Sequence, residues 1–470
     1  MLRLLIFGAG KACGDFFQNH TPDPNKVIIA GIIDNDSSKQ GKGFAGYQIY
    51  SVEEGIKLPF DKIVMLGGFA MEKREKLNRL GIKDEQIIDR FNLYQYRNFF
   101  LEQPLRVICS DAFLNTTFCD KNNTIALFTH SFTYNGGTIA LLRLAQILIK
   151  LGKSVLIISP SDGPSRIEFS QKNIPVIIDY NLKFKTLNSE KWFSSFSLII
   201  INTLSMATLL QKHDIGLPIV WWLHDPEETY QSSGFRYHNL NLEDIDVYAA
   251  GDIGWDFFSV TYPTLPKQIL MYGIPEMDIK KDDDVKPHSQ IVFAMVGTFN
   301  SIKAQDILLD AIDYLSEEEQ EKCEIWLIGN NETPEGQIIK KRAIDYTSIR
   351  IWGTMNRKQI KKAFQSIDVV ITPSRTDIMP IVNGEAMMNS IPCIVGENVG
   401  TAKLIEHEVN GLIFKAQDAK DLASKIEWMI NHKDRIPKMG KEARKVYEKY
   451  YSMESFEQRV LKVLDKHGMA

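Results

Sequence analysis

Short apolar runs alternate with helix-period segments along almost the whole chain, and this alternation constrains the fold more than any other feature. "LLIFGAG", "VIIAGIIDND" and "KIVMLGG" occupy the first hundred residues, "TIALFTH" and "PIVWWLHDPEE" belong to a second block, and "IVFAMVG", "EIWLIGN", "IRIWG", "DVVITPS" and "PCIVG" mark a third. Such alternation is the pattern of βα units and parallel sheets. The expected class is α/β, with two Rossmann-like domains over 121–275 and 291–450 facing a cleft. A small Rossmann-like α/β domain over 1–100 precedes them and a C-terminal helix over 451–470 follows. The polar, proline-containing stretch at residues 276–290 is the expected linker and hinge.

Composition removes several classes. With 470 residues, 44% hydrophobic and 24% charged, the chain can bury more than one core. A formal net charge of −4 argues against bulk attraction to nucleic acid. Five scattered cysteines, Cys13, Cys109, Cys119, Cys323 and Cys393, form no C-x-x-C pair, so a reduced cytoplasm is expected and a structural metal is not. No apolar stretch is long enough to span a membrane.

The third block carries the clearest site. In "IVFAMVGTFNSIKAQDILLDAIDYL" the apolar period places a helix start near Ser301, with Gly297 ending the strand and Lys303 in the first helical turn. Unpaired N–H groups and the helix dipole favour an anion there, and a lysine is unhelpful at that end unless an anion arrives. A solvated lysine on an ordinary βα unit is the plainer alternative. Farther on, "TPSRTDIMPIVNGEAMM" holds two acids, Asp377 and Glu385, across a bend at Pro380. Because 59 of the 470 residues are acidic, spacing alone says little. The setting says more: Asp377 falls in a loop at a strand's carboxyl end and Glu385 is expected in the first helical turn. Carboxylates accept hydrogen bonds from hydroxyls, so a nucleotide sugar fits, its two sugars against the acids and its diphosphate against Lys303. In the second block Gly136 and Gly137 end the loop "SFTYNGG" before a helix expected from about Thr138 to Lys150, which suits either a ligand's approach or a tight turn. His224 and Asp225 end a strand at the edge where open α/β sheets bind ligands.

Taken together, "PSRTDIMPIVNGEAMMNSIPCIV", "VGTFNSIKAQDILLDAI", "NVGTAKLIEHEVNGLIF" and the "NGG" loop resemble the retaining GT-B glycosyltransferases of the group 1, or family 4, class across roughly residues 121–460. The resemblance implies transfer of a sugar from a nucleotide-diphosphate sugar, UDP- or GDP-linked, with retention of configuration and no cofactor or bound metal. It implies that Glu385 holds the ribose, Lys303 the diphosphate and Asp377 the transferred sugar. Gly297, Met379, Pro380 and Ile381 would complete the donor site. Gly136 and Gly137 would line the cleft, and His224 would act with Asp377 and Glu385 at the reacting centre. The expected setting is polysaccharide or glycoconjugate synthesis, with a glycan or lipid-linked glycan as acceptor. Two departures stand out: aspartate where the class commonly has glutamate, and Thr298 or its neighbours where an arginine is common beside the lysine. A catalytically silent nucleotide-sugar-binding or scaffold protein of the same fold is the rival reading.

Residues 1–100 resemble small Rossmann-like domains that precede some bacterial sugar-modifying enzymes. Gly8, Gly10 and Asp34 are the candidates for an accessory nucleotide site there. A nicotinamide enzyme is disfavoured, because no part of the chain is left for a hydride acceptor. Residues 340–362 carry eight Lys or Arg against one acid, which leaves peripheral contact with the inner face of the cell membrane open alongside an ordinary solvated face.

Overall fold

The computed structural model describes residues 1–67, 70–89, 92–108, 123–277 and 290–469. Most of the expected linker and two of the five cysteines, Cys109 and Cys119, lie outside them.

Each apolar run becomes a strand, and the strands form three sheets. The first contains β1 (Leu2–Phe7), β2 (Val27–Ile33), β3 (Gly43–Phe44), β4 (Tyr47–Tyr50), β5 (Lys62–Met65) and β6 (Ile87–Ile88), in the order β3-β4-β2-β1-β5-β6. The second contains β7 (Arg106–Ile108), β8 (Thr124–Phe128), β9 (Ser154–Ser159), β10 (Val176–Ile178), β11 (Leu198–Asn202), β12 (Ile219–Leu223) and β13 (Ile245–Ala249), ordered β13-β12-β11-β8-β9-β10-β7. The third contains β14 (Ile291–Val296), β15 (Cys323–Ile328), β16 (Ile349–Trp352), β17 (Val369–Thr372), β18 (Cys393–Gly396) and β19 (Gly411–Phe414), ordered β16-β15-β14-β17-β18-β19. Every pairing in the third sheet is parallel. The edge pairs β3–β4 and β10–β7 are antiparallel. Because parallel strands need crossovers, helices cover the faces and the central strands are buried end to end; β8, β11, β12 and β17 have no exposed residue.

The chain divides into two compact units: residues 1–248 with 258–265, and residues 249–257 with 266–468. The first two sheets therefore share one unit. Phe184, from the second-sheet region, is 3% exposed within the apolar cluster of the first sheet, beside Phe16 and Phe100. His20 stands edge-on to Phe184 at 4.8 Å. Around this cluster Asn181 exchanges bonds with the backbone of Gln103, and Arg97 reaches Glu190. Lys185, 2% exposed, is held between Asp179 and Glu190 at 2.8 Å each. Residues 266–275, read from sequence as the end of the second block, belong to the other unit. Ile274 N donates to Tyr451 O at 2.6 Å and Tyr447 Oη to Ile274 O at 2.8 Å. Arg459, on the helix Met453–Lys466, donates to Met271 O at 3.0 Å.

Candidate functional site

In the second unit, the carboxyl ends of β14 and β17 carry the sequence-derived donor residues. Gly297 follows β14, and Gly329 follows β15 at φ 149°; a Cβ on Gly329 would sit 2.0 Å from Gly297 O, so only glycine lets these strand ends meet. The helix after Gly297 runs Gln305–Ile312, four residues later than the periodicity places it, because Ala304 takes a left-handed φ of 61°. Lys303 thus lies in the preceding turn and not in the first helical turn. Asn300 Oδ1 accepts from Lys303 N at 2.8 Å, and the lysine's aliphatic arm lies over Gly297. Its ammonium pairs with Asp377 Oδ2, both side chains being less than a third exposed.

Asp377 sits in the loop after β17 and is fixed from two sides: its side chain by Lys303, its carbonyl by Gly400 N at 2.8 Å. Met379 O accepts from Tyr272 Oη. Pro380 is the N-cap of the helix Ile381–Met388 and offers no side-chain acceptor to the first-turn amides. Asn383 N donates to the Pro380 carbonyl at 3.2 Å, and the amides of Ile381 and Val382 stand at the helix end, where an anion is favoured. Glu385 is the fifth residue of that helix, in its second turn and not in the first as expected. It shares a partly exposed face with Ile381, four residues away, while the Gly384 face packs on Ile274 and Tyr451.

Sequence reasoning missed Arg375, Ser374 and Thr376. Arg375 binds Asp306 through both terminal nitrogens, at 3.1 and 2.5 Å, and Ser301 O at 2.6 Å. Ser374 and Thr376 bury hydroxyls that have no hydrogen-bond partner among the described residues. The "PSRTD" run was the available signal, but its polar residues could not be assigned partners without the loop's course.

In the first unit, three adjacent strands, β12, β11 and β8, deliver His224, Asn202 with Thr203, and His130 at their carboxyl ends. Asn135 Oδ1 accepts from Thr138 N at 2.9 Å and caps the helix Gly136–Lys150, so both glycines open the helix. A Cβ on Gly137 would touch Thr203 and Asn202; one on Gly136 would meet nothing within 4 Å. Asn202 Nδ2 donates to Gly137 O at 3.3 Å. Thr203 has φ 76° and ψ 155°, a region costly for a β-branched residue. It is held there by Trp221 Nε1 on its carbonyl at 3.0 Å, by its own N–H on Trp222 O at 2.8 Å, and by contact of its hydroxyl with His130 Nδ1 at 3.2 Å. His224 packs against Trp222 with ring centroids 4.2 Å apart. Burial, and secondarily His130, pushes the His224 imidazole down to about 3, so it is neutral at physiological pH. His130 and Thr203 were not singled out from sequence; both lie one or two residues past strand ends, where polar residues are common.

Asp34 is committed within the first sheet. Its Oδ2 accepts from Ala9 N at 2.6 Å, its Oδ1 from Asp36 N at 2.8 Å, and Lys39 pairs with it at 3.5 Å. It ties the end of β2 to the glycine loop, in which Gly8 has φ 116° and Gly10 caps the helix Lys11–Asn19. Among the described residues no group of three or more His, Cys, Asp or Glu could hold a metal ion, and no helix is long and apolar enough to cross a membrane.

Comparison with known proteins follows the same division. Residues 276–446 match the family described as glycosyl transferases group 1, residues 121–243 match glycosyl-transferase family 4, and residues 1–88 match C2185-like, N-terminal. The chain is 25% identical over 158 residues to the sulfoquinovosyl transferase of Arabidopsis thaliana, covering 33% of this chain and 29% of the relative. It is 32% identical over 99 residues to an uncharacterized glycosyltransferase of Methanocaldococcus jannaschii, covering 21% and 25%. These matches span between a quarter and a third of the relatives' own lengths. Among solved structures, HepE of Anabaena in complex with UDP and glucose superposes with a TM-score of 0.60 at 16% identity, covering 73% of this chain and 99% of that one. A glycosyltransferase of Rickettsia africae gives 0.61 at 15%, covering 74% and 98%. At such identities the likeness is one of fold.

Proposed function

We propose, from the premise that this chain carries a group 1 glycosyltransferase domain over residues 276–446 and has the GT-B fold, that it moves a hexose from a nucleotide-diphosphate sugar to a glycan or lipid-linked glycan acceptor with retention of configuration. The observation that carries the reading is the Lys303–Asp377 pair at the carboxyl ends of β14 and β17, close in sequence to the open N-terminus of the helix Ile381–Met388.

In this reading Lys303 and the helix amides bind the diphosphate and do a cation's work; a charge-assisted hydrogen bond contributes about 1.5–3 kcal/mol. Asp377 accepts from hydroxyls of the transferred sugar, Glu385 from the ribose, and Gly297, Met379, Pro380 and Ile381 shape the pocket. His224, neutral at physiological pH, hydrogen-bonds the reacting sugar without adding charge, and Gly136 and Gly137 leave backbone open to the ligands. The UDP in the HepE complex makes uridine the first nucleotide to try, with guanosine second. Arg357, Lys358 and Lys362 are exposed, as is Trp352 a few positions earlier in the chain, which supports peripheral contact with an anionic membrane from the cytoplasmic side during glycoconjugate synthesis.

The test is a panel of UDP- and GDP-sugars with mixed glycan acceptors, read as released nucleotide diphosphate, followed by NMR of the product's anomeric proton. Acceptor-dependent release with a retained anomer is expected. Tight nucleotide binding without turnover of any donor would favour the silent relative, and an inverted product would overturn the assigned stereochemistry.

A further inference from the structure

The turn that carries Lys303 has few ties of its own to the loop that carries Asp377, and Arg375 supplies most of them. Its backbone N–H donates to Ile302 O at 2.8 Å, its guanidinium to Ser301 O at 2.6 Å, and its two terminal nitrogens form a fork on the Asp306 carboxylate at 3.1 and 2.5 Å. Its own carbonyl is held by Asn398 Nδ2. One residue, two positions before Asp377, thus bonds to Ser301 and Ile302 ahead of Lys303 and to Asp306 beyond it. We propose that Arg375 is a positioning residue of the donor site, a brace that sets the Lys303 ammonium against Asp377 and the incoming diphosphate.

Arginine suits the task because its planar fork grips a carboxylate with two nitrogens and still reaches a carbonyl; lysine, a single point donor, cannot do both. The guanidinium does not make up the positive charge missing at Thr298, since its own is matched by Asp306. The role is therefore geometric. The inference rests on the proposed donor site for its functional consequence, but the placement of Lys303 can be read without any activity.

The experiment combines acetic anhydride labelling of Lys303, read by mass spectrometry, with calorimetry of uridine and guanosine diphosphate. Arg375→Gln should raise the Lys303 labelling rate at least threefold while leaving that of Lys26, which belongs to the other unit, unchanged. It should weaken nucleotide diphosphate binding about tenfold, and it should have no further effect in a Lys303→Ala background, because the brace acts through that lysine. Arg375→Lys should fall between, and it serves as the folded comparison if the glutamine variant is unstable. Unchanged Lys303 labelling in a folded variant would overturn the proposal, as would an Arg375 effect that persists undiminished without Lys303. If the wild type binds neither nucleotide, the donor-site reading fails, and the labelling still decides the placement of Lys303.

Discussion

At the scale of single residues, the ion pair between Lys303 and Asp377 changes what each substitution should do. Asp377 neutralises the lysine, so Asp377→Asn should leave an uncompensated ammonium facing the diphosphate. Nucleotide diphosphate affinity should hold or rise while turnover falls at least tenfold, since the sugar loses its orienting carboxylate. Glu385→Gln should weaken nucleotide binding and leave the reaction of bound donor partly intact. Calorimetry beside turnover for both variants decides this, and loss of nucleotide binding in Asp377→Asn alone would reverse the two roles. His224 gives a pH prediction. Burial holds its folded pKa near 3 against an ordinary value of about 6.5, so the unfolded chain takes up the proton more readily. The related stability is complete above about pH 6.5 and is lost as pH falls toward 3, at no more than about 1.4 kcal/mol per pH unit. His224→Gln should flatten the fall in urea midpoint between about pH 7 and pH 5; an equally steep fall would mean other groups account for it.

At the scale of elements, close backbone approaches help to hold the loops past the strand ends. Gly400 shows this most sharply: a Cβ there would lie 1.6 Å from Ile378 O, and its N–H bonds to Asp377 O. Gly400→Ala should push the Asp377 loop away, cost about 1–3 kcal/mol and weaken nucleotide diphosphate binding with it. Thermal melts and calorimetry on the purified variant are the check, and an alanine variant unchanged in both would show that the loop yields without consequence. The strand positions and the helix Gly136–Lys150 were legible to within about two residues, because period and apolar runs are local properties. The start of the helix at Gln305 was not. A left-handed Ala304 leaves no mark in an apolar period, and it moved Lys303 out of the helix into the turn that Arg375 braces.

At the scale of the whole molecule, residues 1–100 look separable in sequence, yet Phe184 is buried in their cluster. We therefore expect removal of residues 1–100 to expose Phe184 and lower the melting temperature of the remainder. Phe184→Ala in the full chain should cost about 3–5 kcal/mol, the usual range for a buried phenylalanine. Urea unfolding of both proteins tests this; a truncated chain that melts with the full one would restore the separable reading.

The sequence by itself determined the α/β class, the places of the strands with long apolar runs, such as β1, β8, β14 and β17, and the motif residues that point to a nucleotide sugar, since these depend on neighbours a few positions apart. Only the tertiary structure decided which of those residues meet. Lys303 and Asp377 are 74 positions apart and Arg375 and Asp306 are 69 apart; Thr203 and His130 are 73 apart. Such pairs form because separate strands end side by side at one edge of a parallel sheet. The order of strands in a sheet is settled by burial across the whole domain, and no local pattern carries it.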